Sequence, residues 1–164
     1  MFESEILDEM GHIAEPDEVN SELAVCLGTE DDRAVFYLTE DKSIFISQAD
    51  ISKFQMAKAA IWAGIRILSE EAHIPLDKLD RLLLGGGFGA FAHRRNSALL
   101  GIIPRECKGK TTKLGNIALA GAVSAALSAE ARGELARIQK AVQVIDLPTH
   151  PSFNDAYVDG MIFE

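Results

Sequence analysis

The sequence predicts an α/β fold with a mixed five-stranded sheet, and three observations carry that expectation. Residues 22–47 alternate short apolar runs with turn residues, the pattern of an antiparallel meander. Residues 47–72 then carry an uninterrupted helical repeat. After it comes Leu82-Leu83-Leu84-Gly85-Gly86-Gly87-Phe88-Gly89-Ala90, an apolar run that stops in a cluster of glycines. Meander, helix and apolar run in this order predict helices on both faces of the sheet.

The 164 residues suffice for one domain, and an apolar share of 48% supports a folded core. Twenty-five acids against 16 bases give a formal charge of −9, which argues against a non-specific nucleic-acid binder. No run reaches the ~18 apolar residues of a membrane span. The start, Met1-Phe2-Glu3-Ser4-Glu5, is acidic and has no secretory pattern, so a cytoplasmic protein is expected. Cys26 and Cys107 match no metal or C-x-x-C spacing and are expected as free thiols. An iron–sulfur cluster, which needs about four thiolates, cannot be assembled from two.

Residues 1–21 are acidic and broken by Gly11 and Pro16. They are expected as a partly mobile lead-in, with Ile6, Met10 and Ile13 able to share a short helical face. Residues 22–164 form the expected single domain. Strands are predicted at Leu23–Leu27, Ala34–Leu38 and Ile44–Ile46, separated at hairpin length by Thr29–Asp32 and Glu40–Lys42. Ser47-Gln48-Ala49-Asp50 has the form of a capping box. The helix it opens carries an apolar line through Ile51, Phe54, Ile61 and Leu68 and a second stripe through Met56, Ala60, Ala63 and Ile67, and Pro75 ends it. Trp62 reads as a packing residue and Lys58 as an exposed helix lysine, with a reach into a cleft as the alternative.

The leucine run is predicted to be a strand buried on both faces. A short helix around Asn96–Leu100 stops at Gly101 and Pro104, and Lys110–Leu114 reads as a further strand. Asn116 is a good N-cap for Ile117–Leu127, whose small apolar residues predict an interior helix. A more polar helix follows to Ala141, with Leu135 and Ile138 turned inward. Val142–Leu147 is read as a strand, Phe153–Val158 as a last helix, and the end, Met161–Phe163, as packed on the body.

The glycine loop has three readings. Gly85, Gly87 and Ala90 fit G-x-G-x-x-A, but their strand does not open a βαβ series and no acid-tipped strand follows about 20 residues later. The loop is otherwise a structural turn, or a stretch of bare main chain that lets a nucleotide approach backbone N–H groups. The order of elements favours the third, being that of the second half of an actin-like (ribonuclease H-like) ATPase, where a Gly-Gly turn approaches adenosine.

A closer resemblance lies in Ile46-Ser47-Gln48-Ala49-Asp50-Ile51, Gln55–Ile61, Leu84–Gly89, Gly101-Ile102-Ile103-Pro104, Gly115–Ala122 and Phe153–Val158. Together these resemble the C-terminal ATPase domain of reductive activators of corrinoid proteins, over about residues 44–164. The resemblance implies ATP or ADP as ligand, with Mg in the full-length protein, and adenosine contacts at Gly85, Gly86, Gly87, Phe88 and Gly89. It also implies an upstream ferredoxin-like iron–sulfur domain, an upstream ATPase half, and a corrinoid protein of a methyltransferase system as partner. A homodimer is compatible with it. Such activators use ATP to return cobalt(II) corrinoid to cobalt(I), the methyl acceptor. No catalytic or metal-binding residue carries over, because no Asp-x-Gly-Thr-type phosphate loop is present, so this chain alone is expected not to hydrolyse ATP. The rival readings are a non-catalytic module docking on a corrinoid or methyltransferase partner, and a sugar or acid kinase half. His93-Arg94-Arg95 departs from the pattern and is read as a solvated loop rather than a phosphate contact. His12, His73, His93 and His150 show no ligand spacing.

Overall fold

The computed structural model describes residues 5–20, 22–87 and 94–163, with the backbone alone at Arg94 and Arg95. Its strands are β1 (Leu27–Glu30), β2 (Arg33–Tyr37), β3 (Phe45–Ser47), β4 (Leu82–Gly85) and β5 (Thr111–Gly115). Its α-helices are α1 (Gln48–Glu71), α2 (Arg94–Leu99), α3 (Ile117–Leu127), α4 (Ala129–Ala141) and α5 (Phe153–Met161). The five strands divide into an antiparallel sheet β1-β2-β3 and a parallel pair β4-β5.

The meander forms with its first strand displaced. Residues Glu22–Cys26 wind into a 3-10 turn, and pairing starts at Leu27, opposite Phe36. A two-residue hairpin forces this register, because Glu30 pairs with Arg33 and both Asp31 (φ 46°) and Asp32 (φ 59°) are left-handed. At the next turn Asp41 accepts from the Ser43 amide and hydroxyl at 3.1 and 2.7 Å. Strand β3 then delivers Ser47 as the N-cap of α1. The Ser47 side chain accepts from the Asp50 amide, and the Asp50 carboxylate accepts from the Ser47 amide at 3.2 Å, so both halves of the capping box are made.

Helix α1 is the spine of the molecule, and its buried face differs from the predicted lines. Ile51, Gln55, Lys58, Ala59, Ala63 and Ile67 face inward, while Met56, Ile61 and Leu68 are exposed. Lys58 is only 2% exposed, against the expectation of a surface lysine. Its Nζ donates to the Ile162 carbonyl at 2.6 Å and lies 5.0 Å from the Phe163 ring centroid. Gln55 donates to the carbonyls of Met10 and Met161, and Gln48 to that of Gly11. Three polar side chains of one helix thereby satisfy main-chain acceptors from both ends of the chain, as buried polar groups must be satisfied.

Residues 5–20 join the core and do not form the expected helical face. Leu7 and Ile13 make an antiparallel bridge. Ile6, Leu7 and Ile13 enter one cluster with Leu27, Phe36, Ile51 and Phe163. The Phe163 amide donates to Glu9 at 2.8 Å, which fixes the chain end on the body as predicted. Helix α5 packs along α1, where Gly160 lies so close to Trp62 that a Cβ would sit 2.8 Å from its Cδ1.

The second half departs most from expectation. Leu83, predicted to be buried on both faces of its strand, is 51% exposed. No residue of α3 is buried: Leu119 is 60% and Leu127 83% exposed, although the segment is IALAGAVSAAL. Leu135 and Ile138 of α4 are also exposed. Residues 142–146 form no strand, because they have no ladder partner, and lead into a 3-10 turn at Leu147–Thr149. The physical reason is common to all of these. The two-stranded sheet offers α3 and α4 too little surface to bury them, so they pack mainly on each other. Cys107 is buried and Cys26 half-buried, and both are free thiols.

Candidate functional site

Two glycine-ended strands lie side by side at one edge of the parallel pair. β4 and β5 run in register from Leu82 opposite Thr111 to Leu84 opposite Lys113, and a register shift then sets Gly85 opposite Gly115. Both strands therefore end at the same edge, and both leave it through glycine. Gly86 (φ 87°) turns the chain out of β4 and Gly115 (φ 66°) turns it out of β5, conformations a side chain strongly disfavours. Parallel α/β sheets bind ligands outside such carboxyl ends.

The three described glycines, Gly85 at the end of β4 and the helical Gly86 and Gly87, differ in what surrounds them. A Cβ on Gly85 would fall 2.2 Å from Ile117 Cδ1, so the first residue of α3 occupies that space. Gly86 and Gly87 would meet nothing within 4 Å among the described residues. Among the described residues, packing thus accounts for Gly85, backbone conformation for Gly86, and neither for Gly87. Phe88 and Gly89, also predicted as adenosine contacts, lie outside the described residues, as do His93 and the side chains of Arg94 and Arg95.

Helix α3 starts beside the loop with its N-terminus ordered, since Asn116 Oδ1 accepts from the Leu119 amide at 3.0 Å. On the far side of the loop, α2 is held by Ser97 and Ala98, both buried, and by Ser97 O, which accepts from the amides of Ile102 and Ile103.

A hollow of about 320 Å³ opens on the meander between Val25, Cys26, Leu38 and Lys42. Two of its polar groups are committed within the hairpin: the Tyr37 hydroxyl donates to Glu30 at 2.8 Å, and Thr39 Oγ1 accepts from the Ile44 amide. That Glu30 bond also raises the Tyr37 pKa. Among the described residues no group of three or more His, Cys, Asp or Glu could hold a metal ion. No helix among them is long and apolar enough to cross a membrane.

A family model described as the C-terminal domain of RACo, the ASKHA domain, matches residues 1–164. The chain belongs to this family. The match makes the expected actin-like class of fold a finding, with the five strands split between two sheets. The chain is also 33% identical over 124 residues to the corrinoid activation enzyme RamQ of Eubacterium limosum, covering 76% of this chain and 21% of that protein. A solved structure, the reductive activator for corrinoid, iron-sulfur protein, superposes with a TM-score of 0.82 at 28% identity. It covers 99% of this RACo-type domain, which in turn spans 26% of that chain. The domain thus spans 21% and 26% of the two relatives it matches.

Proposed function

We propose that this RACo-type domain supplies the adenosine-facing wall of a nucleotide cleft in an ATP-dependent activator of a corrinoid protein. The observation that carries the reading is Gly87, whose missing side chain nothing in the described chain requires, at the shared end of two parallel strands. The bare main chain at Gly86 and Gly87 fits the flat face of a base or ribose, which needs close approach and few side chains. The relatives named as corrinoid activators support the choice of pathway.

In this reading the chain's own residues bind and orient, and they transfer no electron. Gly85 lets Ile117 close the floor of the turn, Gly86 aims the main chain outward, and Gly87 leaves the approach open. ATP, when bound, supplies the free energy for reducing cobalt(II) to cobalt(I) on the partner. The electron comes through an iron–sulfur domain outside this chain, since two thiols cannot hold such a cluster. The phosphate loop and the Mg ligands come from an upstream ATPase half. The exposed apolar residues of α3 and α4 suit a domain that works against further protein.

That same apolar surface favours a second reading, a docking module on a corrinoid or methyltransferase partner without nucleotide. Calorimetry with ATP and ADP, run beside a phosphate-release assay, separates the two. The nucleotide reading expects saturable binding with no phosphate release by this chain alone. Absence of heat with both nucleotides supports the docking module instead, and metal-dependent turnover would show a complete ATPase.

A further inference from the structure

The corner that leads into α5 is pinned to α1 at two points. Leu147 lies against Gly64, where a Cβ would sit 3.5 Å from Leu147 Cδ1. Further along α1, His150 Nε2 is 3.1 Å from a Glu71 carboxylate oxygen. The other ring nitrogen, Nδ1, accepts from the amide of Ser152, the N-cap of α5, at 3.3 Å. The Ser152 side chain makes no capping bond, so the imidazole supplies the side-chain acceptor at this helix start. These two contacts assign the ring's protons. A backbone amide only donates, so Nδ1 carries no hydrogen and Nε2–H donates to Glu71. A second proton can go only on Nδ1, where it would face the Ser152 N–H. The Glu71 contact survives that step as an ion pair, and the Ser152 contact does not.

We propose that His150 is a pH-operated latch: the neutral ring ties the start of α5 to the end of α1, and the protonated ring lets that start go. The charged groups on the elements that meet here are Arg66, Glu70 and Glu71 of α1, Asp146 before the 3-10 turn, and Asp155 in the first turn of α5. Arg66 is occupied by Glu70 and Asp159, and Asp146 accepts from the Thr149 hydroxyl. No carboxylate among them takes the Ser152 amide, so nothing in this group takes over from Nδ1. The far end of α5 stays fixed, because the Phe163 amide donates to the Glu9 carbonyl and Lys58 to that of Ile162. Opening is therefore confined to the corner. This inference stands independently of nucleotide binding.

Long-range proton–nitrogen NMR spectra of the imidazole rings read the tautomer directly, and the signals lost in His150→Asn pick out His150 among the 4 histidines. At about pH 8 the ring should be the Nε2–H tautomer, and finding Nδ1–H there would overturn the proposal. Lowering the pH to about 5 covers the range in which histidine side chains gain charge. The Ser152 amide should then shift with the same midpoint as the ring. Its protection from hydrogen exchange should fall about fivefold, the net worth of an ordinary hydrogen bond. The Phe163 amide should keep its protection. In His150→Asn an uncharged side-chain oxygen accepts from the amide two residues on, a bond that acid does not break. Ser152 protection in that variant should therefore hold across the same pH range. Loss of protection in the variant as well, or a wild-type Ser152 amide indifferent to the titration of the ring, would overturn the latch.

Discussion

At Gly85 an added methyl would lie 2.2 Å from Ile117 Cδ1, whereas at Gly87 it would meet nothing within 4 Å among the described residues. These neighbours therefore answer differently to the same substitution. Gly85→Ala forces the end of Ile117 to move, an overpacking cost of about 1–3 kcal/mol. Gly86→Ala must hold φ near 87°, at about 1–2 kcal/mol. Gly87→Ala should leave stability within about 0.5 kcal/mol. Urea unfolding of the three variants checks the ranking. A second residue-scale prediction concerns Asp41. Hydrogen bonds from the Thr39 hydroxyl and from the Ser43 hydroxyl and amide lower its pKa to about 2. The unfolded value is about 3.9, so the folded state binds the proton less tightly. The resulting stabilisation is complete above about pH 4 and is lost as pH falls through about 2. Carbon-13 NMR titration should find the low midpoint, and Asp41→Asn should flatten the acid limb of a stability–pH curve.

Among the elements, the contact of α5 with α1 rests on Gly160. An alanine there gains helix propensity of about 1 kcal/mol. It would also place a Cβ 2.8 Å from Trp62 Cδ1 and 2.9 Å from Ala59 Cα. Backbone cannot yield as a side chain can, so overpacking prevails and Gly160→Ala should destabilise by about 1–2 kcal/mol. Thermal melting should then fall by about 2–8 °C. The same elements show what could be read from sequence. The Ser47–Asp50 capping box, the Asn116 cap and the β2–β3 hairpin were legible because each is closed by residues within a few positions, whereas the first strand was expected at Leu23–Leu27 and forms at Leu27–Glu30. The roles of Gln55 and Lys58 were not, because their partners, the carbonyls of Met161 and Ile162, lie more than 100 residues away. Helix α3 misled in the opposite direction: its apolar sequence signals burial, but the two-stranded sheet beside it cannot provide the cover.

Taken as a whole, the molecule has a well-buried half and an open one. Residues 5–67 and the C-terminal segment share a core of long-range contacts, while β4, β5, α3 and α4 leave apolar side chains exposed. Parallel strands are ordinarily covered on both faces, so the open half has the character of one side of a larger assembly. The glycine turn belongs to that open half. The proposed site was only partly legible in sequence, since four glycines of Gly85–Gly89 looked alike and the structure separates those it describes by their surroundings. The most direct test of the account is ADP calorimetry on the wild type and on Gly87→Leu, with urea unfolding of both. The account predicts equal folding stability and at least a tenfold loss of ADP affinity in the variant, about 1.4 kcal/mol. Equal ADP affinity in the two proteins would contradict it.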